Sequence, residues 1–359
     1  MANERVLNVG VLGATGTVGQ RFIVLLSSHP YMKIAGLGAS ERSKDKVYEV
    51  ATRWKMQERM PDQVKGVVVK GCDPAEFVGC DLVFSGLDAS VAGDVETAFL
   101  KAGIPVFSNA KNYRMDPKCP LVVPVVNSDH FKLIDEQRKI FDSGKGFVVT
   151  NSNCSTSGLV VALKALQDSF GPISKVMVTT MQAISGAGYP GVPSLDILDN
   201  IVPLIGGEEP KMEEEVLKIL GGVNQNATSF LPLNDIKVSA TCNRVPVVDG
   251  HTECVSVEFA GEAPSIEKVK EAFESYRCEA QDLGCPSAPD KVIYVATDVD
   301  RPQPRLDRDA GKGMAVTIGR IRECPVFHVK FTLLVHNTVL GAAGASILNA
   351  ELAQKKNYL

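Results

Sequence analysis

The strongest constraint on the fold lies near the start of the chain, where a strand-like run, a glycine turn and a helix-like run follow one another directly. The run Val6 to Leu12 leads into a turn that contains Gly13, Gly16 and Gly19, and a helix-like segment begins near Gln20. Gly13 allows a tight turn, Gly16 lets the backbone approach a pyrophosphate, and Gly19 permits close packing of helix on strand. This context predicts a dinucleotide-binding unit; a glycine-rich turn without a ligand is the alternative.

The same alternation of strand and helix continues through the first half of the chain. The further strand-like segments are Lys33 to Gly38, Asp81 to Phe84, Ile104 to Phe107 and Phe147 to Thr150, and Val91 to Ala102 is helix-like. Such alternation predicts a doubly wound parallel sheet, which binds ligands beyond the carboxyl ends of its strands. Four residues that follow strand ends should therefore converge on one crevice: Gly13, Ser85, Asn109 and Asn153.

The end of the second strand indicates which dinucleotide the crevice takes. An acidic residue there would bind the ribose 2′-hydroxyl of NAD, whereas hydroxyls and cations suit the 2′-phosphate of NADP. Ser40, Arg42, Ser43 and Lys44 favour NADP. Glu41 could take the ribose role instead, and a solvated turn is the structural alternative.

Cys154 is the principal candidate nucleophile. It follows the apolar run Gly146 to Val149 and precedes a helix-like segment with apolar residues three and four apart. We therefore expect the thiol at a helix N-terminus, where the helix dipole and free N–H groups lower a thiol pKa and could hold an oxyanion.

The second half of the chain has longer extended segments, several of which alternate apolar and polar residues. They are Lys175 to Ala183, Ile236 to Asn243, Glu253 to Phe259, Val292 to Thr297, Met314 to Arg320 and Val326 to Val335. Helix-like segments are Lys211 to Leu220, Ser265 to Arg277 and Val339 to Lys355. This pattern predicts a largely antiparallel sheet with helices on one face, and a final helix that returns to the first domain.

Length and composition limit the remaining possibilities. A chain of 359 residues suits two domains, and a net charge of −4 argues against nucleic-acid binding. We find no run of roughly 20 apolar residues that would span a membrane. The nine cysteines are scattered without metal-ligand spacing, and residues 1–5 lead at once into a strand. We therefore expect a cytoplasmic protein without a resident metal or signal peptide.

Several side chains in these segments could serve a site, each with a plain structural alternative. His251 could be a general base or acid, or a histidine in a surface turn. Arg244 could clamp a carboxylate, or be a surface arginine of a strand. Other candidates are Asn112 and Arg114 after a strand end, the glycine-rich loop Gln182 to Gly188, Glu208 and Lys211 at a helix start, and Asn337 with Thr338 as a helix cap.

Taken in order, these segments resemble the aspartate-semialdehyde dehydrogenase family, in its fungal and archaeal branch. The resemblance extends along nearly the whole chain. It is carried by Gly13 to Gly19, Ala39 to Ser43, Ser108 to Arg114, Asn153 to Thr156, Gln182 to Gly188, Glu208 with Lys211, Arg244 with His251, and His336 to Thr338. The order of these fragments is far more specific than any one of them.

The resemblance implies the roles of the site residues. Cys154 attacks an acyl phosphate to form a thioester, His251 is the general acid and base, and Gln182 orients the acyl group or a water. Arg244 clamps the substrate carboxylate, and Glu208, or its neighbour Glu209, binds the ammonium group. Phosphate is bound by Arg114, Lys211 and Asn112. The implied NADP-binding residues are Gly13, Thr15, Gly16, Thr17, Val18, Ser40, Arg42, Ser43, Ser85, Gly86, Ser185, Gly186 and Asn337.

The resemblance also implies the architecture and the reaction. We expect a Rossmann-type NADP-binding domain of residues 1–152 with the C-terminal helix 338–359, and an α+β catalytic and dimerisation domain of residues 153–337. The reaction would reduce L-aspartyl 4-phosphate with release of phosphate, in threonine and methionine biosynthesis, by a homodimer or homotetramer.

Four other functions remain as alternatives. N-acetyl-γ-glutamyl-phosphate reductase and glyceraldehyde-3-phosphate dehydrogenase use the same cysteine and histidine, but an N-acetylated substrate offers no charge for Glu208 to bind. A non-enzymatic NADP-binding regulator would not need Cys154, and a cysteine hydrolase would not need the dinucleotide domain.

Overall fold

The computed structural model describes residues 5–359; residues 1–4, on which the prediction of no signal peptide partly depends, lie outside the described residues. The first half of the chain forms a parallel sheet of five strands in the order β2-β1-β3-β4-β5. The strands are β1 (Leu7–Leu12), β2 (Met32–Gly38), β3 (Leu82–Ser85), β4 (Val106–Ser108) and β5 (Val148–Thr150). The doubly wound sheet predicted from the sequence is confirmed.

Helices connect these strands. They are α1 (Thr17–Leu26), α2 (Tyr48–Ala51), α3 (Asp62–Lys65), α4 (Ala89–Lys101) and α5 (Leu133–Phe141), with short 3-10 turns at Pro74–Phe77 and Ser128–Lys132. Helix α1 begins three residues before the predicted start, because the helical conformation sets in directly after Gly16.

The second sheet has six strands in the order β11-β12-β13-β10-β6-β9. They are β6 (Ile173–Gln182), β9 (Lys237–Arg244), β10 (His251–Phe259), β11 (Ile293–Val295), β12 (Val316–Glu323) and β13 (Val329–Val335), and β7 (Gly222–Val223) pairs separately with β8 (Phe230–Leu231). The three inner pairings are antiparallel, as predicted, while both outer pairings are parallel, so the sheet is mixed.

The longer helices of the second half pack against this sheet, except the last helix, which contacts β4 of the first sheet. They are α6 (Cys154–Phe170), α7 (Ser194–Ile197), α8 (Glu208–Ile219), α9 (Ile266–Ser275), α10 (Glu279–Asp282), α11 (Pro304–Asp307) and α12 (Gly344–Lys355). Short 3-10 turns lie at Ile184–Ala187 and Ala310–Gly313. A wide π-type turn at Val339–Ala343 precedes α12.

Helix α6 is the central helix of the molecule. Its residues 155–163 are all buried, and a Cβ on Gly158 would lie 2.7 Å from the Cβ of Val335 in β13. A glycine at this position therefore lets the helix approach the second sheet closely. Since Cys154 is the first residue of α6, this packing fixes the position of the thiol.

The C-terminal helix α12 returns to the first sheet. Glu351 contacts His29 at 2.8 Å, and Asn349 donates a hydrogen bond to Asn151, just after β5, at 3.0 Å. The predicted domain boundaries stay a prediction. Within residues 5–359 no helix is long and apolar enough to cross a membrane.

Candidate active site

Cys154 lies at the junction of β5 and α6, as the sequence predicted. Asn153 caps the helix, because its side-chain oxygen accepts hydrogen bonds from the backbone amides of Ser155 at 3.0 Å and Thr156 at 3.3 Å. These two amides are therefore already paired, and neither is free to hold an oxyanion as the sequence suggested.

His251 lies next to the thiol although 97 residues separate them in the sequence. It is the first residue of β10, is fully buried, and places Nε2 3.1 Å from Cys154 Sγ. On the other side of the ring, the Ala183 amide donates a hydrogen bond to Nδ1 at 3.0 Å. The histidine is thus held between the nucleophile and the backbone at the end of β6.

Burial sets the protonation of this pair. It raises the pKa of the Cys154 thiol to about 12, and the Glu208 carboxylate adds to this rise, while Arg114, Arg244 and the Ser155 amide oppose it. The helix N-terminus does act to lower this pKa, through the Ser155 amide, but desolvation of the charged form is the larger effect and the net shift is upward. Burial also holds the pKa of His251 well below its usual value, with Arg244 and His336 adding to it.

Two further predicted residues end neighbouring parallel strands. Gln182 ends β6 opposite Arg244, which ends β9. Arg244 is buried and donates from Nη1 to the Ala183 carbonyl at 2.7 Å. Gln182 is buried too, and its Nε2 has no hydrogen-bond partner among residues 5–359. A Cβ on Gly186 would meet Arg244 Nη1 at 2.8 Å and His251 Cε1 at 3.3 Å, so the loop passes directly over the site.

Helix α8 presents charged residues to the site on one face. Glu208 accepts hydrogen bonds from the Asn153 side chain at 2.6 Å and from Lys211 at 2.7 Å. Burial acts to raise the pKa of Glu208, but these two partners outweigh it and lower the pKa, so the carboxylate is charged. The neighbouring Glu209 instead accepts from the Cys242 amide at 3.0 Å. Of the two candidates, Glu208 is therefore the one beside Cys154.

Arg114 reaches the site from the first domain. It donates from Nη1 to Glu215 at 2.9 Å and from Nη2 to the Asn109 carbonyl at 2.9 Å. Asn109 in turn donates to the Ser85 carbonyl. Asn112 is exposed and donates to the Ala89 carbonyl at the start of α4. Among residues 5–359, this bond does not connect Asn112 to the cluster around Cys154.

Two residues that support the site escaped the sequence reasoning. Glu215 accepts from both Arg114 and the backbone amide of Asn153. Lys218 is fully buried and donates to the carbonyls of Arg114, Asp116 and Cys119 at 2.7, 2.7 and 2.8 Å. They follow Glu208 by seven and ten residues, a spacing that places them on the same helix face as Glu208. This spacing is the sequence feature that could have identified them.

The glycine turn has the geometry of an anion site. Gly13 adopts a φ of +73°, and a Cβ there would lie 2.7 Å from the Gly86 carbonyl oxygen, which brings the turn against the loop after β3. A Cβ on Gly19 would lie 2.2 Å from the Gly13 oxygen. The N-cap residue of α1, Gly16, offers no side chain, so the first amides of the helix are left for a ligand. Thr15, Thr17 and Val18 are half-buried around this turn.

The end of β2 presents the predicted selectivity residues. Ser40, Glu41 and Arg42 are exposed, while Ser43 is buried and donates from its amide to the Ser40 carbonyl at 2.8 Å. Lys44 is bound to Glu76 at 2.8 Å. Of the two predicted cations, Arg42 and Lys44, Arg42 is therefore the one that can turn toward a 2′-phosphate.

Asn337 forms side-chain hydrogen bonds to two other loops near Cys154 and His251. Its side chain donates to Ser185 Oγ at 2.8 Å and accepts from the Gly250 amide at 2.9 Å. In the π-type turn that follows, a Cβ on Gly341 would lie 3.0 Å from the Cβ of Cys154. The polypeptide before α12 thus closes one side of the crevice.

Comparisons with known proteins agree with this geometry. The family model of the semialdehyde dehydrogenase NAD-binding domain matches residues 8–134, and that of the semialdehyde dehydrogenase dimerisation domain matches residues 163–340. A relative from Schizosaccharomyces pombe named aspartate-semialdehyde dehydrogenase is 59% identical over 98% of this chain and 99% of its own length. One of the same name from Archaeoglobus fulgidus is 52% identical, again over 98% and 99%.

Solved structures of aspartate-semialdehyde dehydrogenases are also similar to this chain. The aspartate semialdehyde dehydrogenase of Candida albicans with NADP superposes with a TM-score of 0.93 at 53% identity, covering 99% of this chain and 100% of that one. Aspartate semialdehyde dehydrogenase II of Vibrio cholerae complexed with ASA superposes with a TM-score of 0.74 at 28% identity, covering 97% and 98%. The resemblance predicted from the sequence is confirmed: the chain belongs to the aspartate-semialdehyde dehydrogenase family, in the branch that includes fungal and archaeal members.

Proposed function

We propose that this chain is an NADP-dependent aspartate-semialdehyde dehydrogenase, which reduces L-aspartyl 4-phosphate to L-aspartate 4-semialdehyde with release of phosphate. The observation that carries the proposal is the convergence on one thiol of a histidine 3.1 Å away, the buried Arg244, and the charged Glu208. A free α-amino acid requires both a carboxylate clamp and an anion for its ammonium group, and this pair supplies both.

Cys154 is the nucleophile in this proposal. Its sulfur displaces phosphate from the acyl carbon and forms a thioester, which accepts hydride far more readily than a carboxylate does. We assign Gln182 to orient the acyl group or a water, and its buried side-chain Nε2, which has no hydrogen-bond partner in the described chain, supports this role. When bound, NADPH supplies the hydride that reduces the thioester.

The phosphate group is assigned to Arg114 and Lys211, with Asn112 assisting. Arg114 retains N–H groups beyond those that bind Glu215 and Asn109, including a buried Nε without a partner in the described chain. Lys211 is half-buried beside Glu208. Asn112 would have to leave the Ala89 carbonyl to take part.

NADP is assigned to the glycine turn and the loops around it. The α1 N-terminus would hold the pyrophosphate, and Arg42 with Ser40 and Ser43 the 2′-phosphate. Gly13, Thr15, Thr17 and Val18 shape the turn. The nicotinamide end is assigned to Ser85, Gly86, Ser185, Gly186 and Asn337. In support, Gly86 packs against Val18 of the turn, Gly186 lies against His251, and Asn337 donates to Ser185.

We further propose a homodimer or homotetramer that assembles through the second sheet, in the cytoplasmic biosynthesis of threonine and methionine. The match to a dimerisation domain supports assembly. The nine cysteines are scattered along the sequence without metal-ligand spacing, which fits a reducing compartment. Sedimentation analysis would distinguish the two oligomers by mass.

The test of the proposed activity is the reverse reaction, followed by nicotinamide absorbance. With aspartate semialdehyde and NADP, turnover should require phosphate and should vanish in Cys154→Ala. Cys324→Ala, which replaces a half-buried thiol in the turn between β12 and β13, is the control and should retain activity. A wild-type protein that binds NADP but does not turn over would refute the substrate assignment.

A further inference from the structure

Lys218 is a fully buried cation that binds one short segment of the chain at three points. It lies in the last turn of α8, and its Nζ donates to the carbonyls of Arg114, Asp116 and Cys119 at 2.7, 2.7 and 2.8 Å. An ammonium group has three N–H donors and no acceptor, so these bonds use its whole capacity. Residues 114–119, here called the arginine segment, are thus bound to α8 through their backbone.

The positive charge of Lys218 is stabilised in this buried position. Its Nζ lies over the ring of Phe230, 4.4 Å from the ring centre, an arrangement that favours a cation. Burial lowers the pKa of Lys218 to about 8, and Cys119, Asp116 and Glu215 oppose this fall. At pH 7 the ammonium form therefore predominates, and it supplies the donors that buried backbone carbonyls require.

The arginine segment depends on such external bonds to keep its place. It consists of turns, with neither helix nor strand between residues 114 and 119. Two of its amides bond back within the turns, since Asp116 donates to the Tyr113 carbonyl and Cys119 to the Asp116 carbonyl. These local bonds shape the segment but do not attach it to α8.

Helix α8 holds Arg114 at both ends. Glu215, three residues before Lys218 and on the same helix face, accepts from the Arg114 guanidinium at 2.9 Å. Lys218 binds the Arg114 carbonyl at 2.7 Å. Lys211, the other cation assigned to phosphate, belongs to α8 itself. The separation of these two cations therefore depends on how firmly Arg114 is docked on the helix.

We propose that Lys218 is a positioning residue for the phosphate half of the proposed reaction, because it docks Arg114 on the helix that carries Lys211. The redox half should not depend on it. Cys154 and His251 lie on α6 and β10, whereas in the described chain the three side-chain hydrogen bonds of Lys218 all end in the arginine segment. This role rests on the proposed function, since it belongs to one step of that reaction.

The reverse reaction separates the two halves. Without phosphate, the thiol adds to the aldehyde of aspartate semialdehyde, the hydride is transferred to NADP, and the reaction should stop at the thioester after one NADPH per Cys154. Added phosphate then attacks the thioester, releases the thiol and permits turnover. At pH 7, stopped-flow measurement of the burst reports on the redox half, and the steady-state KM for phosphate reports on the phosphate half. A wild type with neither burst nor phosphate-dependent turnover would refute the proposed function itself, and this role with it.

Two variants of Lys218 grade the loss of donors. Lys218→Met removes all three, and Lys218→Gln keeps two N–H donors without the charge. We expect KM for phosphate to rise at least about tenfold in Lys218→Met and by a smaller factor in Lys218→Gln, because losing hydrogen bonds to a charged group is sufficient for a tenfold change. The burst should keep its wild-type rate and amplitude in both. An unchanged KM, or a burst that falls in parallel with the rise in KM, would overturn the proposal.

Lys118→Met is the matched control. Lys118 is a half-buried cation of the same segment, and its Nζ donates to one carbonyl outside it, that of Thr228 at 2.7 Å. The control therefore removes a positive charge but leaves the Arg114 carbonyl bound, and KM for phosphate should change far less than in Lys218→Met. An equal rise would show that overall charge governs phosphate binding, and would overturn the docking role. Circular dichroism checks the fold, and Lys218→Gln, with its neutral amide, still tests the role if Lys218→Met does not fold.

Discussion

Glu215 accepts a hydrogen bond from the Arg114 guanidinium at 2.9 Å, although the two residues are 101 positions apart. Its other oxygen accepts from the backbone amide of Asn153, the residue before the nucleophile, at 2.5 Å. One buried carboxylate therefore sets the position of the proposed phosphate-binding arginine relative to the N-terminus of the nucleophile helix.

Replacing this carboxylate should loosen phosphate binding. Glu215→Gln has one acceptor oxygen for two donors, and loss of a buried charged hydrogen bond costs about 1.5–3 kcal/mol. We expect KM for phosphate in the reverse reaction to rise by about tenfold or more, with a smaller change in KM for NADP. Glu214→Gln, on the exposed side of α8, is the control. If phosphate KM stays at the wild-type value, Glu215 has no positioning role toward Arg114.

The two glycines of the dinucleotide turn should respond differently to alanine. A Cβ on Gly19 meets the Gly13 oxygen at 2.2 Å, whereas a Cβ on Gly16 finds its nearest atom at 3.3 Å. We expect Gly19→Ala to lower the free energy of unfolding by about 1–3 kcal/mol. Gly16→Ala should stay within about 0.5 kcal/mol while weakening NADP binding, because its methyl group would lie in the proposed pyrophosphate site. Urea denaturation and NADP titration separate the two effects, and equal stability of both variants would contradict the packing argument.

Cofactor selectivity should depend on Arg42. Removing its cation in Arg42→Ala should raise KM for NADP by about tenfold or more and leave KM for NAD nearly unchanged, because only NADP carries the 2′-phosphate. Arg59→Ala, another exposed arginine of the first domain, is the matched control. A larger effect of Glu41→Ala on NAD than of Arg42→Ala on NADP would instead make this an NAD site.

Glu253 should make the stability of the protein fall as pH rises. It is fully buried on β10, neither side-chain oxygen has a hydrogen-bond partner in the described chain, and burial raises its pKa well above 4.5 while Ser155 opposes the rise. Below the pKa that Glu253 has in the unfolded chain, its carboxyl group is protonated in both the folded and the unfolded state. Above it the unfolded state ionises and the folded state does not, so folding loses up to about 1.4 kcal/mol per pH unit until the folded pKa is reached.

The measurement is the free energy of unfolding of wild type and Glu253→Gln from pH 4 to pH 8. The variant should become progressively more stable than the wild type as pH rises through this range, and the difference should shrink toward pH 4. Glu262→Gln, at an exposed position, controls for a general loss of negative charge. A difference that does not depend on pH would mean that the Glu253 carboxyl ionises as it does in the unfolded chain.

The sequence alone determined the features that depend on neighbouring residues. The glycine turn, the five parallel strands and the position of Cys154 at the start of α6 were all predicted, because turn glycines, apolar periodicity and caps act within a few residues. The ordered fragments also indicated the family. Strand pairing at the edges of the second sheet was less accessible, since β9 and β11 join it in parallel through long connections.

Only the tertiary structure decided the chemistry of the site. The thiol pKa is raised because burial, contributed by many distant segments, outweighs the helix N-terminus. The Ala183 amide donates to His251 Nδ1, and Glu215 accepts from Arg114, so each side chain is positioned by a residue far away in the sequence. Desolvation and hydrogen bonds between residues about 70 to 100 positions apart exist only once the chain is packed, so no local pattern could have revealed them.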